Sequence, residues 1–288
     1  MNGILLIDKP SGWTSSDVVC KLRGVLHERR IGHSGTLDPM ATGLLVVFVG
    51  RATRAVEFAE ADSKEYLAGL RLGVITDTQD ISGNVLTEKE QHITENELIS
   101  ALSRFTGDIG QTPPMYSAIK IGGKKLYDLA RRGQEVERKP RQITVHALEL
   151  IGREGDDFLL RIACSKGTYV RTLCHDIGEY LGCGGCMSSL RRTRAGAFSI
   201  TDAHTLDEVQ LSPESFLLPV DTLFSYAPSL TVGEMAEKKL RCGNVVPVSA
   251  ESGTYRVYSE SGEFLLLGRV IDGQLKTVKN FFEVRDAE

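Results

Sequence analysis

Twelve residues constrain this chain more than any others: Gly32-His33-Ser34-Gly35-Thr36-Leu37-Asp38-Pro39-Met40-Ala41-Thr42-Gly43, followed at once by the apolar run Leu44 to Val49. Glycine allows backbone conformations and close approaches that a Cβ forbids, and proline fixes φ and removes a donor. The stretch reads as a shaped loop that presents His33 and Asp38 and feeds a buried strand. On chemistry alone, two uses of Asp38 stay open. It can cap the turn ahead of Pro39, as aspartate commonly does, or serve as the acid of a site.

The 288 residues suffice for one large domain plus a small one. Apolar content of 41% and charged content of 25% are ordinary for a globular protein. No run has the length of a membrane span, and Met1 to Pro10 lacks a basic segment leading into a long apolar core. The expectation is a cytoplasmic protein with no membrane partner. Cys183 and Cys186 form a single C-x-x-C with Cys174 and His175 upstream, half of a zinc site without a second pair, so they read as structural thiols.

A net charge of −4 argues at first against a nucleic-acid partner, but phosphate contacts are local. From Lys120 to Arg141, eight Lys/Arg stand against three Asp/Glu, a local charge of +5. Lys21, Arg23, Arg29 and Arg30 form a second basic group, and Arg191, Arg192 and Arg194 a third. Each alone reads as a solvated face; three together are compatible with an RNA or phosphate-rich partner.

In chain order, Gly3 to Ile7 is a strand candidate that runs into the turn Asp8-Lys9-Pro10-Ser11-Gly12-Trp13. Ser15 or Ser16 reads as the N-cap of a helix that puts Val18, Val19, Leu22, Val25 and Leu26 on one face. A short helix is expected around Ala55 to Glu60, and Lys64 to Gly73 alternates like a half-buried strand carrying Tyr66. The polar loop Thr76 to Gly83 lacks the ligand series and terminal glutamate of an EF-hand, so no metal is expected there. Thr94 with Glu97 is a capping box for a helix to about Phe105, closed by Gly107. Gln111 to Arg141, with prolines, glycines, aromatics and its basic cluster, reads as a mobile projection suited to a polyanion. Strands near Gln142 to Ile151 and Phe158 to Cys164 lead to Ser165-Lys166-Gly167-Thr168-Tyr169-Val170-Arg171 and a helix starting near Arg171. The pattern breaks between Pro219 and Pro228. A helix near Val232 to Leu240 and strands Tyr255 to Tyr258, Phe264 to Val270 and Lys276 to Phe282 follow, with hairpin signals at Ser261-Gly262 and Asp272-Gly273.

These segments resemble the TruB family of tRNA pseudouridine synthases. Gly32 to Gly43 is similar to the family's catalytic motif, with Ser34 and Thr36 where threonine and alanine are commoner. Asp8 to Gly12 followed by Ser15 resembles its N-terminal motif. Lys64-Glu65-Tyr66 matches the tyrosine motif, Pro114-Met115-Tyr116-Ser117-Ala118 with Lys124-Lys125-Leu126-Tyr127 the insertion called a thumb, and Lys166-Gly167-Thr168-Tyr169-Val170-Arg171 the second active-site motif. Leu190-Arg191-Arg192 resembles the closing motif.

The resemblance implies an α+β pseudouridine synthase fold with a mixed, largely antiparallel sheet and flanking helices. A catalytic domain is expected over 1–225, with the thumb at about 111–141, and a PUA-like RNA-binding β domain over 226–288. The implied activity is isomerisation of the T-loop uridine of tRNA, position 55 by convention, without a cofactor; no protein partner is implied, and a monomer is expected. Asp38 would act at C1′ of a flipped-out nucleotide, and Arg171 would pair with Asp38 and hold it ionised. Tyr66 would stack on the uracil and move a proton. His33 would fill the vacated space, Tyr169 and Leu190 would line the base pocket, and Lys166 would contact substrate. Lys9 would contact phosphate or support the loop; read from the residues alone it is a surface lysine in a turn. Lys120, Lys124, Lys125, Arg131 and Arg132 would grip the T stem-loop. Two other functions remain open: an RNA chaperone that folds tRNA with catalysis secondary, and a synthase of the same family acting on another RNA.

Overall fold

The computed structural model describes residues 1–60 and 63–282. Strands Gly3–Lys9 and Thr42–Val49 pair antiparallel, from Gly3↔Val49 to Lys9↔Gly43. Both read as near-continuous apolar runs because both faces are covered. Ile4, Leu6, Leu44, Val46 and Phe48 enter one core, while Leu5, Ile7, Leu45, Val47 and Val49 enter the other. The sheet continues through Gly185–Ala195, Lys64–Leu72, Asp157–Cys164 and Arg141–Glu154 to Gly107–Gln111, and Ile31–Ser34 pairs with Thr42–Val49. Gly185–Ala195 meets Thr42–Val49 in parallel at Arg191↔Thr42 and Arg192↔Gly43, and the other pairings in this sheet are antiparallel. This is the mixed, largely antiparallel α+β sheet that was expected.

Helices Ser15–Leu26, Glu95–Leu102 and Val170–Tyr180 cover one face, contributing Val18, Leu22, Leu98, Leu173 and Ile177 to its core. The first is capped by Thr14 and not by Ser15 or Ser16. The Thr14 side chain accepts from the Asp17 N–H while Asp17 accepts from the Thr14 N–H, a complete capping box. Ser15 is then free for another task, described below. The Thr94–Glu97 box is present as read. The opening of the glycine-rich stretch, Ile31–Ser34, is strand and not loop; irregular backbone starts at Gly35.

Residues 112–140, within the span expected to be the thumb, form an excursion between two neighbouring strands, closed at the pair Gln111↔Arg141. Inside it a short hairpin, Lys120–Ile121 with Lys124–Lys125, leads into helix Leu126–Ala130, whose Leu126 and Leu129 are buried. Beyond Pro228 a second sheet orders its strands Ser229–Val232, Gly253–Ser259, Phe264–Ile271, Gln274–Asn280 and Val246–Pro247, with helix Glu234–Arg241 beside it. Two of these strands, Ser229–Val232 and Val246–Pro247, are too short to carry a readable alternation. The last six residues of the expected second domain lie outside the described residues. Phe264 and Phe281 stack 5.3 Å apart and pack with Phe224, which meets Phe58 edge-on at 5.3 Å, so an aromatic cluster ties this sheet to the large one.

Candidate active site

A cleft of about 1410 Å³ opens where the Asp38 loop, the strand carrying Tyr66, the base of the thumb and the start of helix Val170–Tyr180 converge. Its wall collects His33, Asp38, Tyr66, Arg131, Lys166, Tyr169, Arg171 and Leu190, residues spread from 33 to 190 in the chain.

The Asp38 loop is held from below. The buried Ser15 hydroxyl accepts from the Leu37 N–H at 2.9 Å and donates to the Leu37 carbonyl at 3.2 Å, pinning the residue before Asp38 to the helix start. Lys9 is fully buried, and its ammonium donates to the carbonyls of Pro10 (2.8 Å), Trp13 (2.6 Å) and Pro39 (3.3 Å). A phosphate contact by Lys9 is therefore corrected: the ammonium is committed to three carbonyls beneath the cleft and supports the loop. Burial lowers its pKa to about 8, with Asp38 opposing the fall.

Arg171 lies one residue into its helix. Tyr169, the residue before the helix, is clamped by Gln111, which accepts from the Tyr169 N–H at 2.8 Å and donates to its carbonyl at 3.0 Å. The Arg171 guanidinium takes Asp38 by both oxygens, Nε to Oδ2 at 2.9 Å and Nη2 to Oδ1 at 3.3 Å. It also donates to the carbonyls of Tyr116 (2.8 Å) and Thr78 (3.1 Å) and reaches Asp80 at 3.5 Å. Asp80 is buried in the polar loop Thr76 to Gly83, where it accepts from Thr78 Oγ1, Ser82 N–H and Ser82 Oγ. A single arginine thus bridges two carboxylates at the cleft, of which Asp38 is the open one and Asp80 the buried one.

The expected net lowering of the Asp38 pKa by Arg171 is not found. Burial at the cleft floor raises it; Arg171 and Lys9 oppose the rise and Asp80 adds to it. About 35% of the side chain stays open to the cleft, which keeps the carboxyl accessible to a substrate.

Tyr66, Ala68, Leu190 and Arg192 share one face of a cross-strand ladder, with Tyr66 opposite Arg192 and Ala68 opposite Leu190. Tyr66 is buried, and burial raises its phenol pKa while Arg192 opposes. His33 lines the cleft half-buried. Its Nδ1 has no hydrogen-bond partner among the described residues, and burial first, then Arg192, lowers its pKa. Lys166 is exposed at the rim. Lys120, Lys124, Lys125 and Arg132 do not reach this cleft; with Asp128 and Leu129 they line a separate concavity of about 340 Å³ on the thumb. Tyr127 connects the two, lining the cleft with Lys125 5.2 Å and Arg131 5.5 Å from its ring centre.

Sequence reasoning missed Asp80 and Gln111, and read Arg192 as part of a charge group and of the closing motif without giving it a role. Buried Asp80 had one available signal, an Asp-x-Ser pair that makes its own turn. Gln111 had none.

A carboxylate paired with a buried arginine, an aromatic beside it and a basic projection over the cleft define an enzyme of the pseudouridine synthase fold. One solved structure sharing it, a crystal structure of a Cbf5-Nop10-Gar1 complex, superposes with a TM-score of 0.74 at 27% identity over 97% of this chain and 85% of that one. The chain belongs to the TruB family of pseudouridylate synthases: the model of the family's N-terminal domain matches residues 23–170, and that of the tRNA pseudouridylate synthase B C-terminal domain matches 171–225. A relative from Clostridium kluyveri named tRNA pseudouridine synthase B is 42% identical, covering 98% of this chain and all of the relative. Another of that name from Opitutus terrae is 48% identical over 80% of this chain and 96% of its own length.

Proposed function

We propose that the protein converts the T-loop uridine of tRNA, position 55 by convention, to pseudouridine, with Asp38 acting on a nucleotide flipped into the cleft. The observation that carries this reading is the two-pronged Arg171–Asp38 pair facing a cleft large enough for a nucleotide, in a chain whose full-length relatives bear the name tRNA pseudouridine synthase B.

The reaction breaks the C1′–N1 bond, turns the uracil and joins C5 to C1′. Positive charge develops at C1′ as the base departs, and a carboxylate held against that carbon meets it. Arg171 fixes the direction of both Asp38 oxygens, which removes the reorganisation a free side chain would need. After C5 has bonded to C1′, its hydrogen must leave as a proton for the ring to regain its double bond. Tyr66, which lines the same cleft, takes that proton. Leu190 packs against the base and His33 fills the space it leaves; extruding a base costs a few kcal/mol, least where stacking is already weak. The thumb concavity and the second sheet, read as a PUA-type module, add recognition of phosphates and shape.

The test is pseudouridine formation on an unmodified tRNA transcript, mapped by position, for the wild type and Asp38→Asn in parallel. Product confined to the T-loop uridine and abolished in Asp38→Asn is the expected result. A wild type that binds the transcript and yields no product would overturn the proposal.

A further inference from the structure

Arg192 is among the largest fully buried side chains, 1% exposed, yet its guanidinium reaches the wall of the cleft. Its strand is central. On one side, Arg192 stands directly opposite Tyr66 in the antiparallel ladder; on the other, it meets Gly43 in the parallel pairing with the strand that follows the Asp38 loop. Gly43 has φ +96°, and a Cβ there would lie 2.3 Å from the Arg192 carbonyl oxygen, so the two backbones are as close as glycine allows. The side chain then spans the same junction: Nε donates to the Leu44 carbonyl at 2.7 Å and Nη2 to the Gly35 carbonyl at 3.0 Å. Gly35 opens the loop that carries Asp38. Among the described residues no carboxylate forms an ion pair with Arg192, in contrast to Arg171, which has two, and Arg191, which pairs with Asp8 at 2.7 Å. A buried cation without a counter-ion is costly unless hydrogen bonds satisfy it, and its field is then available to whatever stands beside it.

We propose that Arg192 is a positioning residue for the reaction: it locks the Tyr66 strand to the Asp38 loop and sets an uncompensated positive charge against the Tyr66 hydroxyl. The inference rests on the reading of the cleft as a uridine-isomerising site. In that reading the Tyr66 phenolate oxygen forms a bond to the C5 proton, the C–H electron pair becomes the C5=C6 double bond, the C6=N1 pair withdraws to N1, which takes a proton from solvent, and the C5 proton ends on Tyr66. A cation beside the hydroxyl favours the phenolate that this step uses. The groups that face Tyr66 are Arg192 from one neighbouring strand, Cys164 from the other and Asp38 from the loop; His33 faces Arg192. Of these only Arg192 favours the phenolate. Its removal therefore moves Tyr66 ionisation to higher pH.

The test measures single-turnover pseudouridine formation against pH, together with transcript affinity and thermal unfolding, for wild type, Arg192→Gln, Arg192→Lys, Tyr66→Phe and the double variant Tyr66→Phe/Arg192→Gln. Expected for Arg192→Gln is a rate lower by roughly 100-fold, the scale of a general acid–base contribution, with transcript affinity little changed and the alkaline midpoint of the rate moved upward. Arg192→Lys keeps the charge and loses the planar fork, so it slows the reaction less and leaves the midpoint near that of wild type. In the double variant, loss of Arg192 adds little once the Tyr66 hydroxyl is gone. An Arg192→Gln protein with the wild-type rate, with an unmoved midpoint, or with an effect fully additive to Tyr66→Phe overturns the inference. If Arg192→Gln does not fold, Arg192→Lys decides: a slower rate at unchanged affinity supports the inference, and the wild-type rate or a loss confined to affinity overturns it. A wild type that makes no product removes the functional reading itself, a result distinct from any of these.

Discussion

Arg171 holds Asp38 by both carboxylate oxygens, at 2.9 and 3.3 Å, from a guanidinium that is only 7% exposed. Two donors at a fixed spacing orient the acid as well as neutralise it, which a lysine ammonium does not do. Arg171→Lys is expected to lower single-turnover pseudouridine formation by roughly 100-fold while leaving transcript binding nearly intact, since the loss is one of orientation. Arg171→Met goes further, because Asp80 is 6% exposed and would be left as a buried charge without its cation. It should cost about 3–5 kcal/mol of stability, read from urea unfolding, and the loss should be recovered in part by Asp80→Asn in the same chain.

Asp38 carries a pH signature with a definite sign. Its folded-state pKa is raised by burial, so the ionised form is lost on acidification at a pH above the value of about 3.9 for a free aspartate. The single-turnover rate should fall through that higher midpoint. The same shift bears on stability. A carboxyl with a raised folded pKa binds its proton more tightly when folded, so its contribution is favourable at low pH and is lost as pH rises through the window between the two values. At neutral pH the ionised Asp38 is a cost to the fold. Asp38→Asn should therefore unfold at a temperature no lower than wild type, and a clear drop in calorimetric Tm would contradict this assignment.

What the sequence disclosed and what it hid follow from distance along the chain. Asp38, Tyr66, Tyr169 and Arg171 sit in short segments that resemble family motifs, and that resemblance marked their place at a site; the glycines, prolines and strand alternation around them gave only loop and strand ends and left each role open. The pairing of Gly3–Lys9 with Thr42–Val49 was hidden, because both faces are buried and nearly every position is apolar. Asp80 was unreadable as a partner of Arg171, since 91 residues separate them and the turn Asp80 makes with Ser82 accounts for its presence. Arg192 lay in a run of arginines that resembles a solvated face. In the strand, Arg191 turns toward Asp8 and Arg192 inward, a difference of period two that becomes visible only once the register with Tyr66 is known. Thr14 outcompeted Ser15 as the cap because Asp17, three residues on, completes a capping box from Thr14 and no acid stands there for Ser15.

Lys9 should behave as a loop strut. Lys9→Met keeps the stem's apolar bulk but leaves the carbonyls of Pro10 and Trp13 without their side-chain donor, while Pro39 keeps the Gly12 N–H. Stability should fall by about 2 kcal/mol, the scale of an unsatisfied buried polar group, and the rate should fall more than transcript affinity. Affinity falling in step with rate would return Lys9 to the role of an RNA contact.

Gly43 tests the junction of the Asp38 loop with the central strand. At φ +96° any side chain is strained, and the Cβ of Gly43→Ala would meet both the Arg192 carbonyl oxygen at 2.3 Å and its nitrogen at 2.8 Å. These are backbone atoms in a paired ladder and do not swing aside. The substitution should cost about 2 kcal/mol or more in equilibrium unfolding. Gly12→Ala, also at positive φ but with open space around its Cβ, provides the comparison and should cost less.

The thumb prediction separates charge from shape. Lys120, Lys124 and Arg132 are exposed and line one concavity, whereas Lys125 is engaged with the Tyr127 hydroxyl at 3.0 Å and is better left in place. Replacing the three exposed cations by glutamine removes charge without disturbing buried Leu126 and Leu129. If these side chains neutralise phosphates, the logarithm of affinity for the tRNA transcript should depend less steeply on the logarithm of salt. Every phosphate no longer neutralised flattens the slope by about 0.7–0.9. Single-turnover rate at saturating transcript should stay near wild type, because none of the three lines the cleft that holds Asp38. An unchanged slope would place the RNA backbone elsewhere, and a lower rate at saturation would mean that thumb charge acts on the chemistry and not only on binding.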